Sequence, residues 1–237
     1  MKTLMIAHRG FSKYERENTI AAFIAAGATP EFYGIETDVH VTADGHYVII
    51  HDETTNRVCN DKTCIDVEKS TFVEVSRVVI PDLDSTSLRR DLVIPELIDY
   101  IKICKKYNKV GVLELKQLFT KKQVEEILSI IENEGMLDNM VIISFYLEDL
   151  ILVRELNKKI KAQWLLCKYE EKHLETLIKY NLGLDVNYPT IDKEGIDLCH
   201  KNNVEVNVWT VDSLEIAQKY ASWGVDYITS NALKTIE

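Results

Sequence analysis

Leu4-Met5-Ile6-Ala7-His8-Arg9-Gly10, Ile35-Glu36-Thr37-Asp38-Val39 and Val48-Ile49-Ile50-His51-Asp52 are built alike: each is a short apolar run carrying groups that hold charge or move protons toward its end. Such a run reads as a buried strand, and the polar residues mark where it emerges. In a parallel α/β barrel, the C-terminal ends of strands from distant parts of the chain converge on one open face, where such barrels do their chemistry. Two histidines, two carboxylates and an arginine then gather at a single rim.

Working outward, strand-length apolar runs recur at 3–7, 33–39, 110–115, 140–144, 161–166, 183–187, 204–209 and 225–229, eight in all. Segments with helical spacing lie between most of them. Val124, Ile127, Leu128 and Ile131 share one face, as do Leu97, Ile98, Ile101 and Cys104. Asn18-Thr19, Pro95 and Asp212-Ser213 mark helix starts. This alternation, in a chain of 237 residues, predicts the α/β class: a single (β/α)8 TIM barrel spanning 1–237. Ala43-Asp44-Gly45 breaks the pattern with a hairpin turn, and no βα unit follows over 53–93. That segment is expected to be a small insertion after the second strand, acting as a lid or rim.

A net charge of −10 without a basic stripe argues against nucleic acid as a partner. No apolar run approaches the ~20 residues of a transmembrane segment, and the N-terminal run stops at His8-Arg9, too short for a signal peptide. Five scattered cysteines suit a reducing compartment, so a cytoplasmic location is expected. Oligomeric state has no signature in the sequence.

Strand alternation points Glu36 and Asp38 the same way, and likewise Glu114 and Lys116. The three carboxylates form an oxygen-only set suited to a hard divalent cation, Mg2+ or Ca2+, or else a solvated ion-pair network. His8 and His51 are candidates for a proton-transfer pair, with core histidines as the alternative. Arg9 offers a planar fork for phosphate oxygens and Lys116 a second cation. Neighbours on a strand face opposite ways, so His8 and Arg9 share a site only if the backbone turns, which Gly10 permits.

These motifs resemble the glycerophosphodiester phosphodiesterases. His8-Arg9-Gly10, Glu17-Asn18-Thr19 with Ala22-Phe23, Glu36-Thr37-Asp38-Val39, Thr42-Ala43-Asp44-Gly45, His51-Asp52, Ile94-Pro95-Glu96-Leu97 and Glu114-Leu115-Lys116 match in order. Weaker likenesses follow at Ser144-Phe145, Val208-Trp209-Thr210-Val211 and Ile228-Thr229-Ser230-Asn231. The resemblance implies that Glu36, Asp38 and Glu114 bind the divalent cation and that His8 and His51 are the catalytic acid and base. It also implies that Arg9 and Lys116 hold the phosphate of a small-molecule glycerophosphodiester and that Trp209 walls the pocket. Products would be sn-glycerol 3-phosphate and an alcohol, through a cyclic phosphate. Two alternatives stay open: a lysophospholipase D-type enzyme with an apolar rim from Phe72, Phe119, Tyr146 and Trp164, and a catalytically silent phosphoester-binding barrel. His40, His46, His173 and His200 match no catalytic position and are expected in loops, hairpin or helix surface. Asn187 and Tyr188 are placed to line the pocket.

Overall fold

The computed structural model describes residues 2–60, 62–84 and 89–236. Parts of the expected 53–93 insertion, residues 61 and 85–88, lie outside the described residues, as do 1 and 237 at the ends of the expected 1–237 span. Among the described residues nine strands form: β1 (Leu4–Ala7), β2 (Phe32–Val41), β3 (Tyr47–Ile49), β4 (Val110–Leu115), β5 (Met140–Ser144), β6 (Lys161–Leu166), β7 (Gly183–Asn187), β8 (Val206–Trp209) and β9 (Tyr227–Ser230). All but β3 run parallel in the order β1-β2-β4-β5-β6-β7-β8-β9, and β9 pairs back onto β1, closing an eight-stranded barrel. The strand β3 is the return arm of the hairpin, antiparallel to the far end of β2 with Val39 opposite Ile49. The second strand runs past its apolar run because His40 and Val41 continue beyond the register with β4 to pair with β3.

Around the barrel lie α1 (Ile20–Gly27), α3 (Leu97–Tyr107), α4 (Lys121–Asn133), α5 (Leu147–Leu156), α6 (His173–Tyr180), α7 (Lys193–Lys201) and α8 (Leu214–Ser222), with the short α2 (Phe72–Val75) in the insertion. Thr19 and Ser213 cap their helices through side-chain oxygens, as their sequence positions predict. Pro95 falls outside its helix: Glu96 takes the cap position, where its N–H donates to Asp99. The principal core packs the helices against the outer barrel wall, with Phe23, Tyr100, Leu113 and Ile142 fully buried. Inside, the barrel is packed with Ile6, Val112, Val141, Ile143, Leu165 and Tyr227, leaving its C-terminal mouth for function.

The insertion has an apolar cluster of its own. Val58, Val67, Val75, Val78, Ile80 and Leu92 close over Val48 and Ile50. Each such aliphatic chain fully removed from water contributes roughly 1.5–3 kcal/mol, enough together to fix the segment on the barrel. Because Val48 and Ile50 directly precede His51, this small core also fixes the backbone that carries the histidine.

Candidate active site

The chain turns as it leaves β1, one residue earlier than Gly10 alone would allow: Arg9 has φ 54° and Gly10 φ 78°. Gly10 admits no side chain, since a Cβ there would stand 2.7 Å from the Ala22 backbone. The turn brings both His8 and Arg9 into one pocket. His8 Nδ1 lies 2.8 Å from Asn231 Oδ1. Asn231 donates its side-chain amide to Asp212 at 2.7 Å and its backbone N–H to the same carboxylate at 2.8 Å. Its oxygen is thereby left to accept, so His8 carries its proton on Nδ1 and presents a bare Nε2, 3.9 Å from Glu36.

Glu36, Asp38 and Glu114 are all buried at the C-terminal ends of adjacent strands, with Asp38 opposite Glu114 in the sheet. One carboxylate oxygen from each lies within 4.8 Å of the others. Burial, then the neighbouring Asp38 and Glu114 charges, push Glu36 well above the carboxylate range. Glu114 is pushed to about 8, by burial first and Asp38 second. Burial acts the same way on Asp38, but the Arg9 and Lys116 cations outweigh it and hold that group below its usual value. Lys116 lies 2.7 Å from Glu114 and 3.6 Å from Asp38, while Arg9 Nε lies 3.5 Å from Asp38. Asn18 donates to Asp38 at 2.7 Å and accepts from Thr37 at 2.8 Å. Asp38 Oδ1 is nonetheless buried without a hydrogen-bond partner. Three converging acids, two of them destabilised as anions, and an orphaned carboxylate oxygen fit a hard divalent cation bound through oxygen.

His51 is oriented by a carboxylate instead of an amide. Its Nδ1 lies 2.5 Å from Asp52, which accepts from Arg57 Nε at 2.6 Å. Arg57 grips Glu17 through two bonds of 2.8 Å, and Glu17 in turn accepts from Arg9 at 2.8 Å. A continuous arc of alternating charge thus runs from the insertion to the β1 turn, and between them Arg57 and Arg9 hold Glu17 down at about 2 against the effect of burial. Burial lowers both His8 and His51 below the usual imidazole range, with Arg9 adding to the effect in each. His40 is not at the surface as expected: it is buried on β2, with Nδ1 3.0 Å from Glu68 and Nε2 3.3 Å from the His51 carbonyl. An isolated histidine in a β-run gives no clue to this supporting role.

The pocket encloses about 170 Å³. Its charged wall is His8, Arg9, Glu36, His51, Glu114 and Lys116; the opposite wall, from β5 to β9, is Ile143, Phe145, Leu165, Trp209 and Thr229 around Asp185. Phe145 meets Trp209 edge-on with ring centroids 5.8 Å apart. Every residue to which the resemblance gives a catalytic, phosphate-binding, metal-binding or pocket role borders this pocket except Asp38, which belongs to the acidic triad. Asn187 and Tyr188 do not border it; Asp185, two residues earlier, does. Of the expected apolar rim, Phe119 is in the core, Phe72 packs into the insertion and Trp164 is half-buried, leaving Tyr146 exposed. A larger groove of about 670 Å³ between the hairpin, α3 and α4 is lined by His46, Glu96, Lys122 and Glu126, with none of the motif residues implied in the chemistry.

The chain matches the profile of the Glycerophosphoryl diester phosphodiesterase family over residues 8–235. A glycerophosphodiester phosphodiesterase of Caldanaerobacter subterraneus subsp. tengcongensis is 32% identical over 242 residues, covering 100% of this chain and 97% of that relative. The crystal structure of a glycerophosphodiester phosphodiesterase from Parabacteroides distasonis superposes with TM-score 0.81 at 26% identity, over 97% of this chain and 93% of that one. A phosphodiesterase of Oleispira antarctica, solved in complex with the product sn-glycerol-3-phosphate, shares the fold with TM-score 0.89 at 21% identity, over 99% and 95% of the two chains. Among the described residues no helix is long and apolar enough to cross a membrane.

Proposed function

The chain belongs to the glycerophosphoryl diester phosphodiesterase family, and from that membership we propose that it hydrolyses glycerophosphodiesters to sn-glycerol 3-phosphate and an alcohol, with His8 and His51 moving the protons. The observation that carries the reading is the pair of imidazoles, each tied through Nδ1 to its own partner, on the wall that also bears the acidic triad. Glu36, Asp38 and Glu114 would hold Mg2+ or Ca2+. When bound, that ion supplies positive charge to the non-bridging oxygens.

A phosphodiester anion resists attack because its charge repels the nucleophile and its alkoxide leaves poorly. Arg9 and Lys116 answer the first difficulty by placing cations on the pocket wall, where charge growing on phosphate oxygens is stabilised. The histidines answer the second. His8, with its bare Nε2 and an amide partner, takes the proton of the glycerol 2-hydroxyl as that oxygen attacks phosphorus. His51, whose Asp52 partner opposes the effect of burial on its imidazolium form, gives a proton to the departing alcohol. Water then opens the resulting cyclic phosphate with the two roles exchanged. Trp209 and Phe145 wall the space for the organic part of the substrate. The five cysteines are unpaired, in keeping with a cytoplasmic setting.

The test is release of glycerol 3-phosphate from the glycerol, choline, ethanolamine and inositol esters with Mg2+, Ca2+ or EDTA. Activity restored by one of the ions after chelation is the expected result. Undiminished activity after exhaustive chelation would remove the cation from the scheme, and no release from any ester would overturn the assignment.

A further inference from the structure

On the β5–β9 wall of the pocket, two polar atoms are buried without any hydrogen-bond partner: Asp185 Oδ1 and Trp209 Nε1. Such orphans are uncommon in folded proteins and costly, because each has given up water for nothing. Asp185 is 2% exposed, on the inward face of β7, opposite Leu165 on one neighbouring strand and Asn207 on the other. Asn207 is already engaged with Thr229, its amide 3.2 Å from the hydroxyl, and so does not fully satisfy the acid. The rest of the wall is apolar, Ile143, Phe145 and Leu165. A ligand arm that fits here has a hydrocarbon body and a polar tip.

The chemistry of the two orphans selects the tip. Indole Nε1 only donates, so its partner must accept; a carboxyl group beside it accepts, or donates when protonated. An ammonium group has no lone pair for the indole, and a quaternary one has no proton for the acid either. A hydroxyl meets both demands at once. We propose that Asp185 is a specificity-determining residue that binds a free hydroxyl of the glycerol arm, with Trp209 Nε1 as the second partner, and so selects a polyol arm over an alkyl or cationic one on that side of the phosphate.

This rests on the phosphodiesterase reading for its choice of substrate, so the test is made by binding as well as by turnover. In the presence of Mg2+, calorimetry compares sn-glycerol 3-phosphate with 2-hydroxypropyl phosphate, which lacks only the terminal hydroxyl. Wild-type protein is expected to prefer the glycerol ester by roughly 10–100-fold, the effect of leaving a buried polar group unpaired. Asp185→Leu should reduce that preference to less than about 3-fold, and Asp185→Asn, whose amide still donates and accepts, should keep most of it. Turnover of glycerophosphocholine against 2-hydroxypropyl phosphocholine gives the matching kinetic comparison. The 2-hydroxyl nucleophile is present in both, so the loss in Asp185→Leu should fall on KM and spare the deoxy ester. Equal preference in wild type and Asp185→Leu, or none in wild type, overturns the subsite. An Asp185-dependent preference in a protein that cleaves neither ester leaves the subsite standing and refutes the catalytic reading instead. Should Asp185→Leu fail to fold, loss of the preference in Asp185→Asn would overturn the role of a hydroxyl partner.

Discussion

On the β1–β2–β4 side of the pocket the charges are ion-paired, Arg9 with Glu17, Lys116 with Glu114 and His51 with Asp52, and even its two buried atoms without a hydrogen bond, Arg9 Nε and Asp38 Oδ1, face an opposite charge at 3.5 and 3.6 Å. The β5–β9 side is apolar, and two of its polar atoms, on Asp185 and Trp209, have no partner. The first side is organised before anything binds. Its ion pairs and backbone donors hold the groups where charge must be stabilised, which spares reorganisation during reaction. The second side is left unsatisfied, so its polar atoms gain their bonds only when a suitable arm arrives. Under the proposed function, one wall serves the reaction and the other the choice among substrates.

Removing an acid–base group from the organised wall should produce the largest effect. Under the proposed mechanism His51→Ala and His8→Ala each lower kcat on glycerophosphocholine by roughly 10²–10⁴-fold, the usual contribution of a positioned acid or base. Wild-type turnover in either variant at saturating metal would show that the wall's order serves something other than proton transfer.

The unsatisfied wall should show its cost as stability. Burial pushes Asp185 up to about 8, far above its ordinary value near 3.8, so folding favours the neutral acid. The stability carried by that neutral form is complete below the unfolded value and is lost as pH rises toward 8 and through it. Asp185→Asn, which cannot ionise, should therefore match wild type near pH 4 and exceed it at pH 8 by on the order of a few kcal/mol. Urea unfolding at the two pH values measures the difference; a gap that shrinks with rising pH would place the ionised form in a hospitable site and end the contrast between the walls.

A smaller effect tests whether the order of the charged wall reaches beyond the pocket. Arg57 is half exposed and does not border the pocket, yet it joins Asp52 to Glu17. Arg57→Ala should lower kcat by about 10-fold through loosened His51 and Arg9, while stability changes by no more than about 1 kcal/mol, as for exposed pairs generally. An unaltered kcat would confine the organised wall to the residues that line the pocket.

The two walls also differ in how plainly the sequence announces them. Most of the charged wall is written in short local runs, because adjacent strand-end residues of unusual chemistry, such as Glu36 with Asp38 or His8 with Arg9, stand out against apolar strands. The eight barrel strands were legible for the same reason. The opposite wall is made of Ile143, Phe145 and Leu165, which at a strand end read like core, and of Asp185, which sits within an apolar run where only the closed barrel reveals its inward face. Asn187 and Tyr188 were the wrong residues on the right strand. The depth at which the pocket floor lies is set by how the interior packs, and no single run encodes that. Arg57 was hidden for another reason: its partner Glu17 is 40 residues away, across a hairpin and an insertion without periodicity.

The bond between His8 and Asn231 spans 223 positions, and β9, which Asn231 follows, is the strand that closes the barrel onto β1. His8 follows β1 and Asn231 follows β9, so under the proposed mechanism the tautomer of the base is fixed only when those two strands pair. Until β9 has docked, the imidazole lacks the amide that orients it, and under the proposed mechanism a chain interrupted before Asn231 would lack an oriented base. In that scheme, closing the barrel and orienting the base are one event.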